Sequence, residues 1–204
     1  MPAWDTPRMT LEECRQFYAD EVRFAANLST PGLADAFARV RREQFLGPGP
    51  WQIASADVRG MSAATGIQMS YTPIDDPRHL YHNVVVVLDK DRDINNGQPS
   101  ALGRWIDALQ LQPGDRAYHL GCGVGYYTAI MAEVVGAGGS VVGCEVRPDL
   151  ALWQAKPVVG AWQAHRPLQA EPSPESERRE PAMREQHRLP VRSATVVSHR
   201  RTSP

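Results

Sequence analysis

The stretch from Arg116 to Glu145 constrains the fold more than any other part of the chain. Arg116-Ala117-Tyr118-His119-Leu120 enters as a strand, and the glycine-rich stretch Gly121-Cys122-Gly123-Val124-Gly125 follows. Tyr126 to Val135 has the composition of a helix, Gly136-Ala137-Gly138-Gly139 that of a turn, and Ser140 to Glu145 that of a second strand. Strand, glycine loop, helix, turn and strand within about 30 residues make the β-α-β unit of a nucleotide-binding fold. Glycine lets backbone approach a ligand because no Cβ intervenes, and the N–H groups opening the next helix favour an anion. Glu145 ends the second strand, 145 − 121 = 24 positions after Gly121, near the roughly 20 at which an acid meets ribose hydroxyls.

The spacing of the glycines discriminates between ligands. A dinucleotide fingerprint is G-x-G-x-x-G. Here Gly121, Gly123 and Gly125 are evenly spaced and Tyr126 follows, so the third glycine comes one position early. That is the form found in class I methyltransferases, whose ligand is S-adenosylmethionine. A nicotinamide-dependent oxidoreductase and a ligand-free glycine turn are the competing readings. Gly121, Cys122, Gly123, Gly125, Tyr126 and Glu145 are the candidate cofactor-binding residues.

N-terminal to this unit, Thr10 and Glu13 form a capping box before Leu11, Cys14, Tyr18, Val22, Ala25 and Leu28, which recur at helical spacing. A second helix is expected from Pro31, with Leu33, Phe37 and Val40 as its apolar stripe and the run Gly47-Pro48-Gly49-Pro50 as its end. Residues 51–80, with scattered Gly60, Gly66, Pro73 and Pro77, are expected to be loops. The run Asn83 to Leu88 is expected to be a strand, and Ser100 to cap a helix bearing Leu102, Trp105, Ile106 and Leu109. Residues 155–204 hold nine Lys/Arg, five Glu, seven of the 17 prolines and a single aromatic, Trp162. Such a segment buries too little apolar surface to offset its ordering entropy, so disorder is expected there. The expected organisation is a helical and loop segment over 1–82, a cofactor-binding part over 83–154, and a tail over 155–204.

The formal net charge of −1 points to no polyanionic partner. The Arg-rich tail lacks the aromatics that stack on bases, so no nucleic-acid partner is expected. Cys14, Cys122 and Cys144 are odd in number and form no C-x-x-C pair, which speaks against a disulfide framework or zinc site. His79 and His82 near Asp75 and Asp76 are read as a solvated loop, with no metal expected. No signal peptide and no apolar run of membrane-spanning length is evident, so a cytoplasmic location without membrane attachment is expected.

Beyond these local patterns, Ala36 to Ala151 resembles the protein-L-isoaspartate O-methyltransferase family. Ala36-Phe37-Ala38-Arg39-Val40-Arg41-Arg42-Glu43-Gln44-Phe45 is similar to the family's A-F-x-x-V-P-R-E-x-F helix. Gly97-Gln98-Pro99 and Leu109-Gln110-Leu111-Gln112-Pro113-Gly114 are similar to its S-Q-P segment and L-x-L-x-P-G turn. His119 to Ala129 resembles its E-I-G-x-G-x-G-Y-x-T/A motif, and Gly143-Cys144-Glu145-Val146 its ribose-binding strand end. The resemblance implies a partial doubly wound, Rossmann-like α/β methyltransferase sheet that uses S-adenosylmethionine to methylate a carboxylate of a protein or peptide, as in the repair of isoaspartyl damage. It implies Gln98 and Ser100 as acceptor-side, catalytic candidates. Three departures accompany it. The family's S-Q-P serine falls on Gly97, the acid of the first motif is His119, and the likeness ends after Asp149-Leu150-Ala151, as in a truncated or frame-shifted chain. A catalytically inactive remnant, acting at most as a binding protein, is therefore the alternative expectation.

Overall fold

The computed structural model describes residues 9–62, 66–147, 149–150, 162–164 and 196–199. The first helix, α1 (Leu11–Ala26), starts as its sequence requires. Thr10 Oγ1 accepts the Glu13 N–H, and Glu13 Oε2 accepts the Thr10 N–H at 2.7 Å. It ends at Asn27, which takes the left-handed conformation at φ 52° and returns its N–H to Arg23 and Phe24, a C-cap geometry that asparagine tolerates. Helix α2 (Leu33–Arg39) is shorter than the sequence suggests. Beyond Val40 the chain turns through a 3-10 segment, Arg42–Phe45, well before the glycine-proline run.

Residues 51–80 are not loops. Strands β1 (Trp51–Ser62) and β2 (Gly66–Ile74) form a long antiparallel hairpin, with Trp51 opposite Ile74 and Ala54 opposite Tyr71. The glycines and prolines that argued for loops are compatible with a two-stranded ribbon at the edge of a sheet. Pro73 sits on β2, which is the edge strand of its sheet, where a missing N–H disturbs no ladder. Strand β3 (Val85–Asp89) pairs antiparallel with β1 on its other side, and the two-residue β4 (Ile94–Asn95) pairs with β3, giving the order β2-β1-β3-β4.

Helix α3 (Pro99–Asp107) leads to the nucleotide-type unit: β5 (Arg116–Leu120), α4 (Tyr126–Val135) and β6 (Ser140–Cys144), within a residue of the expected bounds. Strands β5 and β6 are parallel, with His119 opposite Gly143 and Leu120 opposite Cys144. Within residues 155–204, expected to be disordered, Trp162–Ala164 (β7) and Val196–His199 (β8) are strands instead. β7 runs parallel beside β6 and β8 antiparallel beside β5, in the order β7-β6-β5-β8. Strands of three and four residues leave no detectable period, and backbone bonds to an existing sheet edge can fix them. The other residues expected to be disordered lie outside the described ones.

A single apolar core joins these parts. Tyr18 and Val22 of α1, Leu33 and Phe37 of α2, Ile106 of α3, and Ile130, Met131 and Val135 of α4 bury against Val86, Ala117 and Val141 of the sheets. α1 and α3 approach closely at Gly103, where a Cβ would lie 3.4 Å from both Phe37 and Val22.

Candidate functional site

The parallel register of β5 and β6 brings both strand ends to one edge, and the glycine loop is folded over that edge. The Gly121 and Cys122 N–H groups donate to the Cys144 carbonyl at 2.8 and 3.1 Å, and the Gly125 N–H donates to the Cys122 carbonyl at 2.9 Å. Gly121, Gly123 and Gly125 take φ values of 68°, 54° and 87°, a left-handed region costly for any residue with a Cβ. A Cβ at Gly121 or Gly123 would meet nothing within 4 Å. Conformation, not crowding, thus excludes side chains there, and the space a ligand needs lies beside the loop. Gly125 is the N-cap of α4 and supplies no side-chain cap, so the helix opens onto the loop with its positive dipole end.

Glu145 closes the other side. It is only 8% exposed. Its Oε2 accepts the Gly123 N–H at 2.8 Å and its Oε1 accepts the Arg147 N–H at 2.9 Å. The carboxylate is therefore held over the loop by backbone amides, each oxygen keeping lone pairs for further donors such as a pair of ribose hydroxyls. Glycine loop, open helix end and strand-terminal acid fit an adenosine moiety followed by an anionic group.

Two of the sequence candidates behave differently. Tyr126 does not line the open space. Its side chain is 1% exposed, its hydroxyl lies 3.1 Å from that of Tyr18, and its ring packs edge-on to Phe45 and Tyr127. An aromatic at the first helical position points back under the preceding turn, so only its backbone remains near the loop. Cys122 is likewise buried, its Sγ 2.9 Å from where a Gly143 Cβ would stand, beneath the loop rather than above it.

His119 faces the same interior. Its Nδ1 is 2.9 Å from Thr128 Oγ1 on α4, and burial pushes the imidazole down to about 4. At neutral pH it is uncharged and supplies no anion to a cofactor's ammonium group.

The acceptor-side candidates lie on the loop between β4 and α3. Tyr127 on α4 donates its hydroxyl to the Gly97 carbonyl at 3.3 Å, which ties this loop to the first turn beyond the glycine loop. Gln98 is exposed and is the N-cap of α3, without a side-chain cap bond, and Pro99 is the first helical residue. Ser100, expected to be the cap, is instead the second helical residue. A distant residue caps it: Asn83 Oδ1 accepts the Ser100 N–H at 2.9 Å and Asn83 Nδ2 donates to Ser100 Oγ at 3.0 Å.

A residue the sequence did not single out organises the region. Arg42 is fully buried. Its guanidinium donates to the carbonyls of Leu80 (2.6 Å), His82 (3.1 Å) and Val84 (2.8 Å) and to Asn96 Oδ1 (3.3 Å), between the rings of Tyr18 and Tyr126. Asn96 Oδ1 also accepts the Val86 N–H at 2.9 Å. The start of α4, the β4–α3 loop and the turn before β3 therefore converge on one buried cation. Its only sequence signal was its place in the A-F-x-x-V-P-R-E-like stretch. Asp75, Asp76, His79 and His82 form no metal-ligating group, and none exists among the described residues; Asp76 instead pairs with Arg78, which holds its carboxyl well below the usual range.

Residues 68–166 match the sequence model of the protein-L-isoaspartate(D-aspartate) O-methyltransferase family. The chain is related to that family through this region. Protein-L-isoaspartate O-methyltransferase of Aeropyrum pernix is 36% identical over 83 residues, 37% of this chain and 32% of that protein. The enzyme of Ignicoccus hospitalis is 40% identical over 79 residues, 37% of this chain and 36% of its own length. The chain thus spans about a third of the length of these curated relatives. A solved protein-L-isoaspartate O-methyltransferase superposes with a TM-score of 0.55 at 21% identity, covering 74% of this chain and 41% of that one. A second, from Plasmodium falciparum and solved with S-adenosyl-L-homocysteine, superposes with a TM-score of 0.50 at 14% identity, covering 80% of this chain and 67% of that one. These superpositions show a shared methyltransferase fold. Among the described residues no helix is long and apolar enough to cross a membrane.

Proposed function

We propose that the chain is an S-adenosylmethionine-dependent methyltransferase that transfers a methyl group to a carboxylate of a protein or peptide, with an isoaspartyl residue as the acceptor. The observation that carries this reading is the pairing of a three-glycine loop in left-handed conformation with a buried, backbone-held Glu145 across its mouth. The family relationship of residues 68–166 supports the acceptor class.

The chemistry asks little of the protein beyond alignment. S-adenosylmethionine, when bound, supplies a methyl group on an electrophilic sulfonium. Gly121 and Gly123 would admit the ligand to backbone contact, the open end of α4 would suit its carboxylate, and Glu145 would accept from its ribose hydroxyls. A carboxylate acceptor is already nucleophilic at neutral pH, so no general base is required of the chain. Its task is to hold the two reactants in line and keep water out. The Ser100 hydroxyl and the exposed Gln98 amide, at the positive end of α3, suit an incoming anion.

The test is methyl transfer from radiolabelled S-adenosylmethionine to a synthetic peptide containing one isoaspartyl residue. Label should appear on that peptide, not on its aspartyl counterpart, and Glu145→Ala should reduce transfer about tenfold or more, as expected when a charged hydrogen-bond partner is removed. A folded chain that labels neither peptide contradicts the proposal.

A further inference from the structure

Asn83 and Ser100 make a two-point contact whose polarity is fixed. The Ser100 backbone N–H can only donate, so the atom facing it must be the Asn83 side-chain oxygen (2.9 Å). The other end of the same amide is then the nitrogen, which donates to Ser100 Oγ at 3.0 Å. A hydroxyl that accepts through a lone pair is left with its own hydrogen pointing away from the donor. Asn83 is itself immobilised. Its N–H donates to Glu21 Oε2 on α1 at 3.0 Å, and the carbonyls of its neighbours His82 and Val84 are both gripped by the buried Arg42.

We infer that Asn83 is a positioning residue that fixes the Ser100 hydroxyl as a hydrogen-bond donor toward the carboxylate of the methyl acceptor. The inference rests on the reading of Ser100 as an acceptor-side group and deepens it. It explains how a hydroxyl one helical turn beyond the Gly97 position serves an anion: a free hydroxyl donates or accepts as its surroundings dictate, whereas this one is committed to donating. Arg42, through residues 82 and 84, supports the arrangement from behind.

The bland account is that Asn83 only caps α3, and one substitution separates the two. In Asn83→Asp, one carboxylate oxygen still accepts the Ser100 N–H, and a negative charge at a helix N-terminus is favourable, so the cap survives. The other oxygen replaces the nitrogen, accepts the Ser100 O–H and turns its hydrogen inward. Steady-state transfer to the isoaspartyl peptide should then show a KM raised about tenfold with kcat nearly unchanged, the pattern of lost ground-state binding. The thermal midpoint and the affinity for S-adenosylhomocysteine should stay as in the parent. In a Ser100→Ala background, where KM is already raised, the same substitution should change KM much less, because the hydroxyl it acts through is gone. An equal rise in both backgrounds assigns the effect to charge alone and overturns the inference, as does a Ser100→Ala variant with an unaltered KM. Asn83→Ala checks the cap separately: it should lower the thermal midpoint and raise KM together, and a lowered midpoint with parental KM also overturns the inference. A parent chain that binds S-adenosylhomocysteine but transfers no methyl group removes the functional reading itself, and this inference with it.

Discussion

Arg42 holds a full positive charge where no carboxylate meets its guanidinium among the described residues, and its environment shows how that is tolerated. Three carbonyls and one amide oxygen accept from its Nη1 and Nη2, and two tyrosine rings flank it. Truncation would leave three buried carbonyls without their donor, each costing about 1–3 kcal/mol. Arg42→Met should therefore lower unfolding stability by about 3 kcal/mol or more in urea titration, and Arg42→Lys, a point donor rather than a fork, should recover only part. His119 offers a second test at this scale. Burial lowers its folded-state pKa to about 4 from an ordinary 6.5, so between those values the unfolded chain binds a proton that the folded chain excludes. Its contribution is fully present above pH 6.5 and is lost as pH falls toward 4, by roughly 3 kcal/mol in all. His119→Gln should flatten urea midpoints measured between pH 7 and pH 4.5, and an unchanged pH dependence would count against the burial account.

The elements divide by how much of their cause is local. α1 was legible from Thr10 and Glu13 because a capping box acts over three residues, and β5-loop-α4-β6 was legible because glycine spacing and strand composition lie side by side in the chain. The hairpin of β1 and β2 was not legible. Its stabilisation comes from pairing partners such as Trp51 and Ile74, 74 − 51 = 23 residues apart, and no period-2 apolar pattern announces it in the sequence. At the site, the glycines and Glu145 could be read from spacing, whereas the inward turn of Tyr126 and the grip of Asn83 on Ser100 depend on contacts across 17 or more residues. The turn joining α4 to β6 gives a test at element scale. A Cβ at Gly139 would lie 2.5 Å from the Asp115 carbonyl oxygen, while one at Gly138 comes no nearer than 3.8 Å to the Gly114 Cα. Gly139→Ala should cost about 2 kcal/mol, within the range for overpacking, and Gly138→Ala should be close to neutral in the same urea titration.

Across the whole molecule, the two sheets do not form separate cores. Val86 of the antiparallel sheet and Ala117 and Val141 of the mixed one bury in the same cluster as all four helices, so a single cooperative transition is expected. Far-ultraviolet circular dichroism and tryptophan fluorescence should give the same urea midpoint; separated midpoints would indicate that the hairpin sheet melts by itself. Among the described residues, α4 packs on one face of the sheet that holds β5 and β6, and Tyr118 and Leu120, which alternate to the other face of β5, are 42% and 46% exposed. The proposed cofactor site, however, draws on the glycine loop and the strand ends within residues 121–147. The most direct measurement is therefore calorimetric titration of the 204-residue chain with S-adenosylhomocysteine, beside Glu145→Ala. Saturable binding at one site, weakened about tenfold or more in the variant, is what the cradle predicts. A folded chain that takes up no ligand, or binds it equally well without the Glu145 carboxylate, would contradict it.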